Sequence, residues 1–320
     1  GAKGFAFLNM LQLIGWTSIM IYDAMLALQT LAPLSPMIWT IAIGALVILW
    51  LFIGLHNTGY VQAIVSLLLL SLTFYMGMHM IAQWPSESNL VSDGSMSFIA
   101  ALELSIAMPL SWLPLISDYT RESKHPFTAS LTSATIYTVT SIVMYTLGLS
   151  AAIFGGGDSI ITIMMNAGLG LAGLLVIIFS TVTTTFMDAY SAGVSSTTIY
   201  NSASSKCIAV IVTIVGTIAA ILYPMDDITD FLYLIGSVFT PMIAILLADY
   251  FMNRQQVQTL SAFLVRGTIW AVSVGLYHYM LHSESTVGAT LPAFTMAFII
   301  TTIIGFVSKA VKVSTEVKQP

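Results

Sequence analysis

The chain has 320 residues, of which 57% are hydrophobic and only 7% are charged. Soluble domains carry roughly 25% charged residues, so this composition excludes a soluble protein and indicates an integral membrane protein. The net charge is −5 and the basic residues are confined to loops, so we expect no nucleic-acid partner. The single cysteine, Cys207, excludes an intrachain disulfide framework.

Hydropathy and breaker residues predict ten membrane-spanning segments, each close to the roughly 20 residues that a bilayer requires. The connecting loops are short, so we expect one transmembrane domain over residues 1–320, embedded in the lipid bilayer. The predicted segments are Phe5–Leu31, Met37–Leu55, Tyr60–Ala82, Ser97–Ile116, Thr128–Phe154, Ala167–Tyr190, Lys206–Tyr223, Ile228–Tyr250, Ser261–Leu281 and Ser285–Val307.

The distribution of positive charges supports this count. When the ten crossings alternate, every Lys and Arg falls on one side, and loop residues of the other side are acidic or neutral. Cytoplasmic loops carry an excess of Lys and Arg, so both termini of this chain are expected to be cytoplasmic. The basic residues are Lys3, Arg121, Lys124, Lys206, Arg254, Arg266, Lys309, Lys312 and Lys318.

Three acidic residues are predicted to lie at membrane depth, where ionisable groups are costly and are functional candidates. Asp188 lies in the sixth segment, after a run of threonines. Such hydroxyls could help to bind a hard cation such as Na⁺, or could simply bond to the preceding turn. Asp23 and Glu103 could each line a pathway or anchor a helix end. The threonines are Thr181, Thr183, Thr184 and Thr185.

Two tryptophans are also predicted to lie deep in the membrane. Trp16 ends the motif QLIGW, which begins at Gln12, and Trp112 lies in the fourth segment. An indole can stack on a flat heteroaromatic ligand, and a glutamine amide can bond its edge. The alternative is that each tryptophan is a large packing residue.

The fourth segment contains two prolines, Pro109 and Pro114, on either side of Ser111. They would leave the carbonyls of Ser105 and Leu110 without helical donors. Irregular backbone at membrane depth is tolerated where it is buried in protein or lines a wet cavity. We therefore predict a discontinuous helix beside a binding site, with a simple proline kink as the alternative.

Two short patterns in the sequence suggest a different function, that of a protease. Tyr22-Asp23 and the GGGD motif ending at Asp158 match two patterns of intramembrane aspartyl proteases. That chemistry needs two carboxylates sharing a proton, whereas Asp158 is predicted to lie in an outer loop. The Pro-Ala-Leu element of those proteases is absent, so we expect no enzyme and keep the protease as a distant alternative.

Four stretches carry a resemblance to a known family: GAKG, QLIGW, WLPLISDYTR and TVTTTFMDAYSAG. Along its whole length the chain resembles the nucleobase–cation symporter family, also called the cytosine/purines/uracil/thiamine/allantoin permeases. It is most similar to the hydroxymethylpyrimidine transporter branch, which is related to cytosine permease. The resemblance implies an all-α, leucine-transporter-like fold: five helices, an inverted copy, and two more. The ten segments match helices three to twelve, which implies that the first two are missing.

The resemblance also implies roles for individual residues. Trp16 would stack on the base, opposite an aromatic group at Trp112 or a position nearer Pro109. Thr183 and Thr184 would supply hydroxyls to a sodium site. Our own hypothesis, beyond the resemblance, is that the edge of the ligand would be read by Gln12, Ser105, Ser111 and Asp188. Asp188 could accept from a pyrimidine amino group or carry a proton.

These expectations combine into one prediction of function. The chain is expected to belong to a monomeric, multi-pass importer of the bacterial plasma membrane (the inner membrane). It would take up a pyrimidine-type heterocycle, hydroxymethylpyrimidine or cytosine, by alternating access. Na⁺ or H⁺ would be the coupling ion, and no other cofactor is expected. The alternative is a carrier of the same fold for a non-aromatic solute such as an amino acid.

Overall fold

The computed structural model describes residues 2–30, 34–53, 55–82, 96–120, 123–154, 164–165, 168–225, 227–253, 259–283 and 285–316. Ten helices within these ranges are long and apolar enough to cross a membrane, which confirms the all-α prediction and the predicted count. The helices are α1 Ala2–Gln29, α2 Pro36–Ile53, α3 Leu55–Ala82, α4 Phe98–Thr120, α5 Pro126–Phe154, α6 Gly170–Ile199, α7 Ser205–Leu222, α8 Thr229–Leu247, α9 Leu260–His282 and α10 Thr290–Glu316. A π-helical turn, Ala248–Asn253, continues α8.

Helix α6 is longer than hydropathy predicted, because it continues from Tyr190 to Ile199. The extra residues are rich in Ser and Thr, which lowers their hydropathy, yet Ser191 is fully buried. Gly193 packs directly against the backbone carbonyl of Ser205 at the start of α7. Tertiary packing therefore sustains this part of the helix where apolar character does not.

Helix α4 corrects the prediction of a discontinuous helix. Its backbone is α-helical from Phe98 to Thr120, with Pro109 and Pro114 both inside the helix. Each proline removes only one backbone donor, and the bonds of the neighbouring turns remain. The prolines therefore mark weakened turns of a continuous helix, as the kink alternative allows, and not an unwound segment.

The chain divides into two compact units. The first contains Asp93–Pro114 and Asp227–Pro320, and the second contains Ala2–Ser92 and Leu115–Asp226. Helix α4 contributes residues to both units, and the division falls directly after Pro114. The single domain expected from the sequence stays a prediction.

The core of the second unit forms where α1 packs on α2, α6 and α7. Helix α3 packs on α6 and on α5 at the edge of the same unit. One cluster of fully buried side chains draws on α1, α2, α6 and α7, and it includes Ile21, Ile43, Val47, Leu174, Val182 and Ala220. Burial of such apolar surface contributes roughly 25 cal/mol per Å² in water, but in lipid the fit of the side chains matters more.

In the first unit, α8 packs on α9 and α10, and the π-helical turn packs on α10. Small residues dominate its buried clusters, which allows the helices to approach closely. One cluster contains Ala244, Ile269 and Ala297. The other contains Tyr277, Ala289 and Ala293.

Contacts within each unit agree with ten alternating crossings. Lys206, at the start of α7, donates to the carbonyl of Phe52 at the end of α2 (3.5 Å) and lies 4.8 Å from the Phe52 ring centroid. Glu103, near the start of α4, accepts from the backbone at the start of α10. Alternation places each of these pairs on the same side of the bilayer. Which side is cytoplasmic stays a prediction.

Candidate functional site

Helix α1 carries a row of polar and aromatic side chains along one face. Asn9, Gln12 and Trp16 are spaced by three and four residues, which places them above one another on a helix. Asn9 and Gln12 are buried, with 1% and 4% of their surface exposed, and Trp16 is half-buried. The predicted ligand residues Gln12 and Trp16 therefore share a face that turns towards the protein interior.

Hydrogen bonds join this face to α6. Gln12 donates from Nε2 to Asn9 Oδ1 at 2.7 Å, and Asn9 donates from Nδ2 to Ser195 Oγ at 2.9 Å. Both amides are buried in the protein, and an unpaired buried polar group is costly, so these side chains need protein partners. The three side chains form a connected row between two membrane helices.

The Asn9–Ser195 bond sets the register between α1 and α6. These helices are the first and sixth crossings, so they run in opposite directions. Trp16 lies seven residues after Asn9, and Asp188 lies seven residues before Ser195. At 1.5 Å per residue, both lie roughly 10 Å from the bond, in the same direction. The register therefore places Trp16 and Asp188 at the same depth on adjacent helices.

The predicted sodium ligands, Thr183 and Thr184, lie about one helical turn before Asp188 on α6. Thr183 and Thr184 each donate a hydrogen bond of 2.9 Å from Oγ1 to the carbonyl of Ser180. Thr183 is buried and Thr184 is exposed. A hydroxyl that donates to the preceding turn keeps its lone pairs, so this arrangement is compatible with binding a hard cation. The remaining oxygens of a sodium shell would have to come from other groups.

The other predicted ligand residues lie on α4, in the first unit. Ser105 and Pro109 are exposed, Trp112 is half-buried and Ser111 is buried. Both serine hydroxyls donate within the helix, Ser105 to the carbonyl of Ala101 (2.9 Å) and Ser111 to that of Met108 (2.6 Å). Spacings of four and three residues place Ser105, Pro109 and Trp112 on one face, with Ser111 on another.

The two ambiguous carboxylates have different surroundings. Asp23 is exposed on α1. Glu103 is buried and binds the start of α10, which confirms the helix-anchoring alternative for this residue. Asp158 of the protease pattern and Arg121 of the WLPLISDYTR stretch lie outside the described residues. Among the described residues, no group of three or more His, Cys, Asp or Glu side chains could hold a metal ion.

Two polar clusters were missed from the sequence. Asn9 and Ser195 join α1 to α6. The three-residue spacing of Asn9 from Gln12 could have indicated that Asn9 lies on the same helix face as Gln12. In the first unit, Arg266 on α9 donates to both carboxylate oxygens of Asp249, at 2.6 and 2.8 Å. Asn253 donates to the same carboxylate at 3.0 Å. From the sequence, Arg266 indicated only the orientation of the chain in the membrane, because pairing between helices leaves no local pattern.

Residues 4–319 match the family described as permease for cytosine/purines, uracil, thiamine, allantoin. The chain belongs to this permease family, which confirms the predicted family. Cytosine permeases from three Escherichia coli strains are 25% identical to it over 185 residues. That match covers 57% of this chain and 44% of the cytosine permease, so it spans less than half the length of these relatives.

A solved structure shares the fold. Mhp1, described as a nucleobase-cation-symport-1 family transporter in a closed conformation with bromovinylhydantoin bound, has a TM-score of 0.67 and 17% sequence identity. The match covers 97% of this chain and 76% of the Mhp1 chain. It confirms the leucine-transporter-like fold. The family is one of permeases, which confirms the prediction of a non-enzyme.

Proposed function

We propose that the complete protein imports a pyrimidine-type heterocycle, hydroxymethylpyrimidine or cytosine, together with Na⁺ or H⁺, by alternating access. It works as a monomer in the bacterial plasma membrane, with the termini of this chain in the cytoplasm. The observation that carries the choice of ligand is the common depth of Trp16 and Asp188 beside the hydrogen-bonded row of Gln12, Asn9 and Ser195. Family membership supports transport as the activity.

The side chains of Trp16 on α1 and Asp188 on α6 suit a ligand with a flat ring and an amino group. The Trp16 indole offers an aromatic plane, and stacking of aromatic rings contributes about 0.5–1.5 kcal/mol beyond the buried area. The Asp188 carboxylate can accept hydrogen bonds from an exocyclic amino group of a pyrimidine. A ligand without such a group leaves the half-buried Asp188 carboxylate without this partner, at a cost of about 1–3 kcal/mol. Cytosine and hydroxymethylpyrimidine both carry an amino group.

Two sets of residues are available for the coupling ion. Thr183 and Thr184 offer hydroxyl oxygens suited to Na⁺, whereas Asp188 offers a carboxylate that can carry a proton. In either case the ion stabilises the conformation that binds the ligand. Ion and ligand then raise each other's affinity by the same factor.

Uptake by the complete gene product tests this proposal. Labelled cytosine and hydroxymethylpyrimidine are supplied with and without Na⁺, and with and without an uncoupler. Unlabelled pyrimidines and amino acids serve as competitors. We expect saturable uptake that pyrimidines inhibit and amino acids do not. Inhibition by amino acids alone contradicts the proposal and favours the carrier of a non-aromatic solute.

A further inference from the structure

Near the start of α4, the Glu103 side chain is buried, with 5% of its surface exposed, yet both carboxylate oxygens are bonded. Oε1 accepts from the backbone N–H groups of Ala289 (3.0 Å) and Thr290 (3.1 Å). Oε2 accepts from the Thr290 N–H (3.0 Å) and from the Thr290 hydroxyl. One carboxylate therefore joins α4 to the first residue of α10, 187 positions away in the chain.

The start of α10 lacks a capping side chain of its own. A helix leaves its first backbone N–H groups without internal partners, and where these groups are buried in protein, as here, no water replaces them. Ala289, just before the helix, has no side-chain acceptor, and Pro292, its third residue, has no N–H. Glu103 supplies the acceptors for Ala289 and Thr290, and its negative charge suits a helix N-terminus. The α4 carboxylate thus replaces a local cap.

The loop before α10 has the shape that this contact requires. Gly288 has a φ of +75°, which glycine adopts without strain. A Cβ atom at this position would also collide with Oε1 of Glu103. Behind the loop, the fully buried Tyr277 packs against Ala289. Glycine at position 288 therefore allows the contact in two ways: it adopts the positive φ, and it has no Cβ atom that would collide with the carboxylate.

We propose that Glu103 is a positioning residue, which holds the first half of α4 on α10 and so fixes the predicted ligand residues Ser105 and Ser111. An anchor is needed here because Pro109 and Pro114 each remove a backbone hydrogen bond, which leaves α4 less stiff than an unbroken helix. The anchoring stands on the contacts of the first unit alone. Its consequence for the ligand rests on the transport proposed above.

Hydrogen exchange of the complete gene product in lipid nanodiscs tests the anchor. Glu103→Gln replaces an accepting oxygen by an NH₂ group, which cannot accept from the α10 backbone. We expect exchange to accelerate at least about tenfold in residues 289–294 and also in residues 98–108, because a charge-assisted hydrogen bond is lost. Exchange in residues 205–222 of α7 serves as the internal reference and should not change. Faster exchange in α10 with unchanged exchange in α4 overturns the proposal, since Glu103 would then only cap α10.

A matched pair of threonine variants on α10 separates this contact from a general loss of hydroxyl groups. Thr290→Val removes the hydroxyl that donates to Glu103 and leaves the carboxylate in place. Thr302→Val removes a hydroxyl that donates only within its own helix, to the carbonyl of Phe298 (2.8 Å). Thr290→Val should accelerate exchange in α4, and Thr302→Val should not. If the Glu103→Gln protein does not accumulate in the membrane, the two threonine variants test the anchor without it. Equal exchange rates in α4 for the two variants overturn the proposal.

Uptake kinetics test the consequence for the ligand. At equal membrane abundance, Glu103→Gln should raise the KM for labelled cytosine about tenfold and leave Vmax within about twofold, because binding geometry is lost and folding is not. An unchanged KM overturns the positioning role. If the wild-type protein takes up neither cytosine nor hydroxymethylpyrimidine, the proposed function fails, and the exchange experiment decides the anchor by itself.

Discussion

Asn9 on α1 donates a hydrogen bond of 2.9 Å to Ser195 on α6, and this bond sets the register of two helices that cross the membrane in opposite directions. Ser195→Ala removes the acceptor. We expect thermal unfolding in detergent to show a destabilisation of about 0.6–2 kcal/mol, the range for hydrogen bonds between membrane helices. Ser196→Ala is the matched control, because its hydroxyl donates within its own helix, to the carbonyl of Gly193. Equal effects of the two variants contradict a role of the Asn9 contact in register.

The stacking role of Trp16 predicts a graded loss of uptake. Trp16→Ala should abolish uptake of the true ligand at normal membrane abundance, because no aromatic plane remains. Trp16→Phe keeps a smaller ring and should retain measurable uptake with a higher KM. Initial rates of labelled cytosine and hydroxymethylpyrimidine uptake measure both variants. Unchanged uptake by Trp16→Ala refutes the stacking role.

The identity of the coupling ion predicts which hydroxyls matter. If Na⁺ binds at Thr183 and Thr184, replacing either by Val should raise the Na⁺ concentration for half-maximal uptake about tenfold, since one oxygen ligand is lost. Thr185→Val is the matched control, because it removes a neighbouring hydroxyl with the same kind of within-helix bond, to the carbonyl of Thr181, that is not one of the predicted sodium ligands. Sodium-independent uptake that an uncoupler abolishes would exclude this site. Asp188→Asn should then remove the coupling.

The Arg266–Asp249 pair predicts a strong dependence on both partners. Each side chain is only 14% exposed, and the guanidinium donates to both carboxylate oxygens. Asp249→Asn should lower the free energy of unfolding by about 3 kcal/mol, because it leaves a mostly buried cation without its counter-charge. The double variant with Arg266→Gln should be less destabilised than the sum of the single variants. Strict additivity, measured by thermal unfolding of the four proteins, argues against direct pairing.

The close approach of α6 and α7 predicts that Gly193 cannot be enlarged. A Cβ atom at this position would collide with the Ser205 carbonyl, so Gly193→Ala must move the backbone of one helix. We expect a loss of about 1–3 kcal/mol in stability. Gly148→Ala, on α5, meets no atom within 4 Å and should be neutral or slightly stabilising. Equal unfolding temperatures for the two variants would show that α6 and α7 are farther apart than described.

Several features could be predicted from local patterns in the sequence. Long apolar stretches yield the ten crossings, because every backbone group in lipid must be paired within its own helix. The alternation inferred from the basic residues agrees with the contact of Lys206 with Phe52. The motifs around Trp16, Trp112 and Asp188 together carried the resemblance to the permease family, which the family match confirms.

Other features of the fold depend on contacts between residues that hydropathy cannot predict. The end of α6 was misplaced because Ser191 and its neighbours are polar, although their burial against other helices keeps the segment helical. The break predicted in α4 is absent because the surrounding turns of the helix tolerate single missing donors. Asn9 was overlooked because its partner, Ser195, lies 186 positions away.

The sequence by itself determined the ten helices that are long and apolar enough to cross a membrane, and the family to which the chain belongs. These properties follow from composition and local motifs, which act within one helix at a time. Only the tertiary structure decided that Trp16 and Asp188 lie at one depth and that Glu103 caps α10. The physical reason is that polar groups in lipid must pair, but which helix supplies the partner depends on packing between distant parts of the chain.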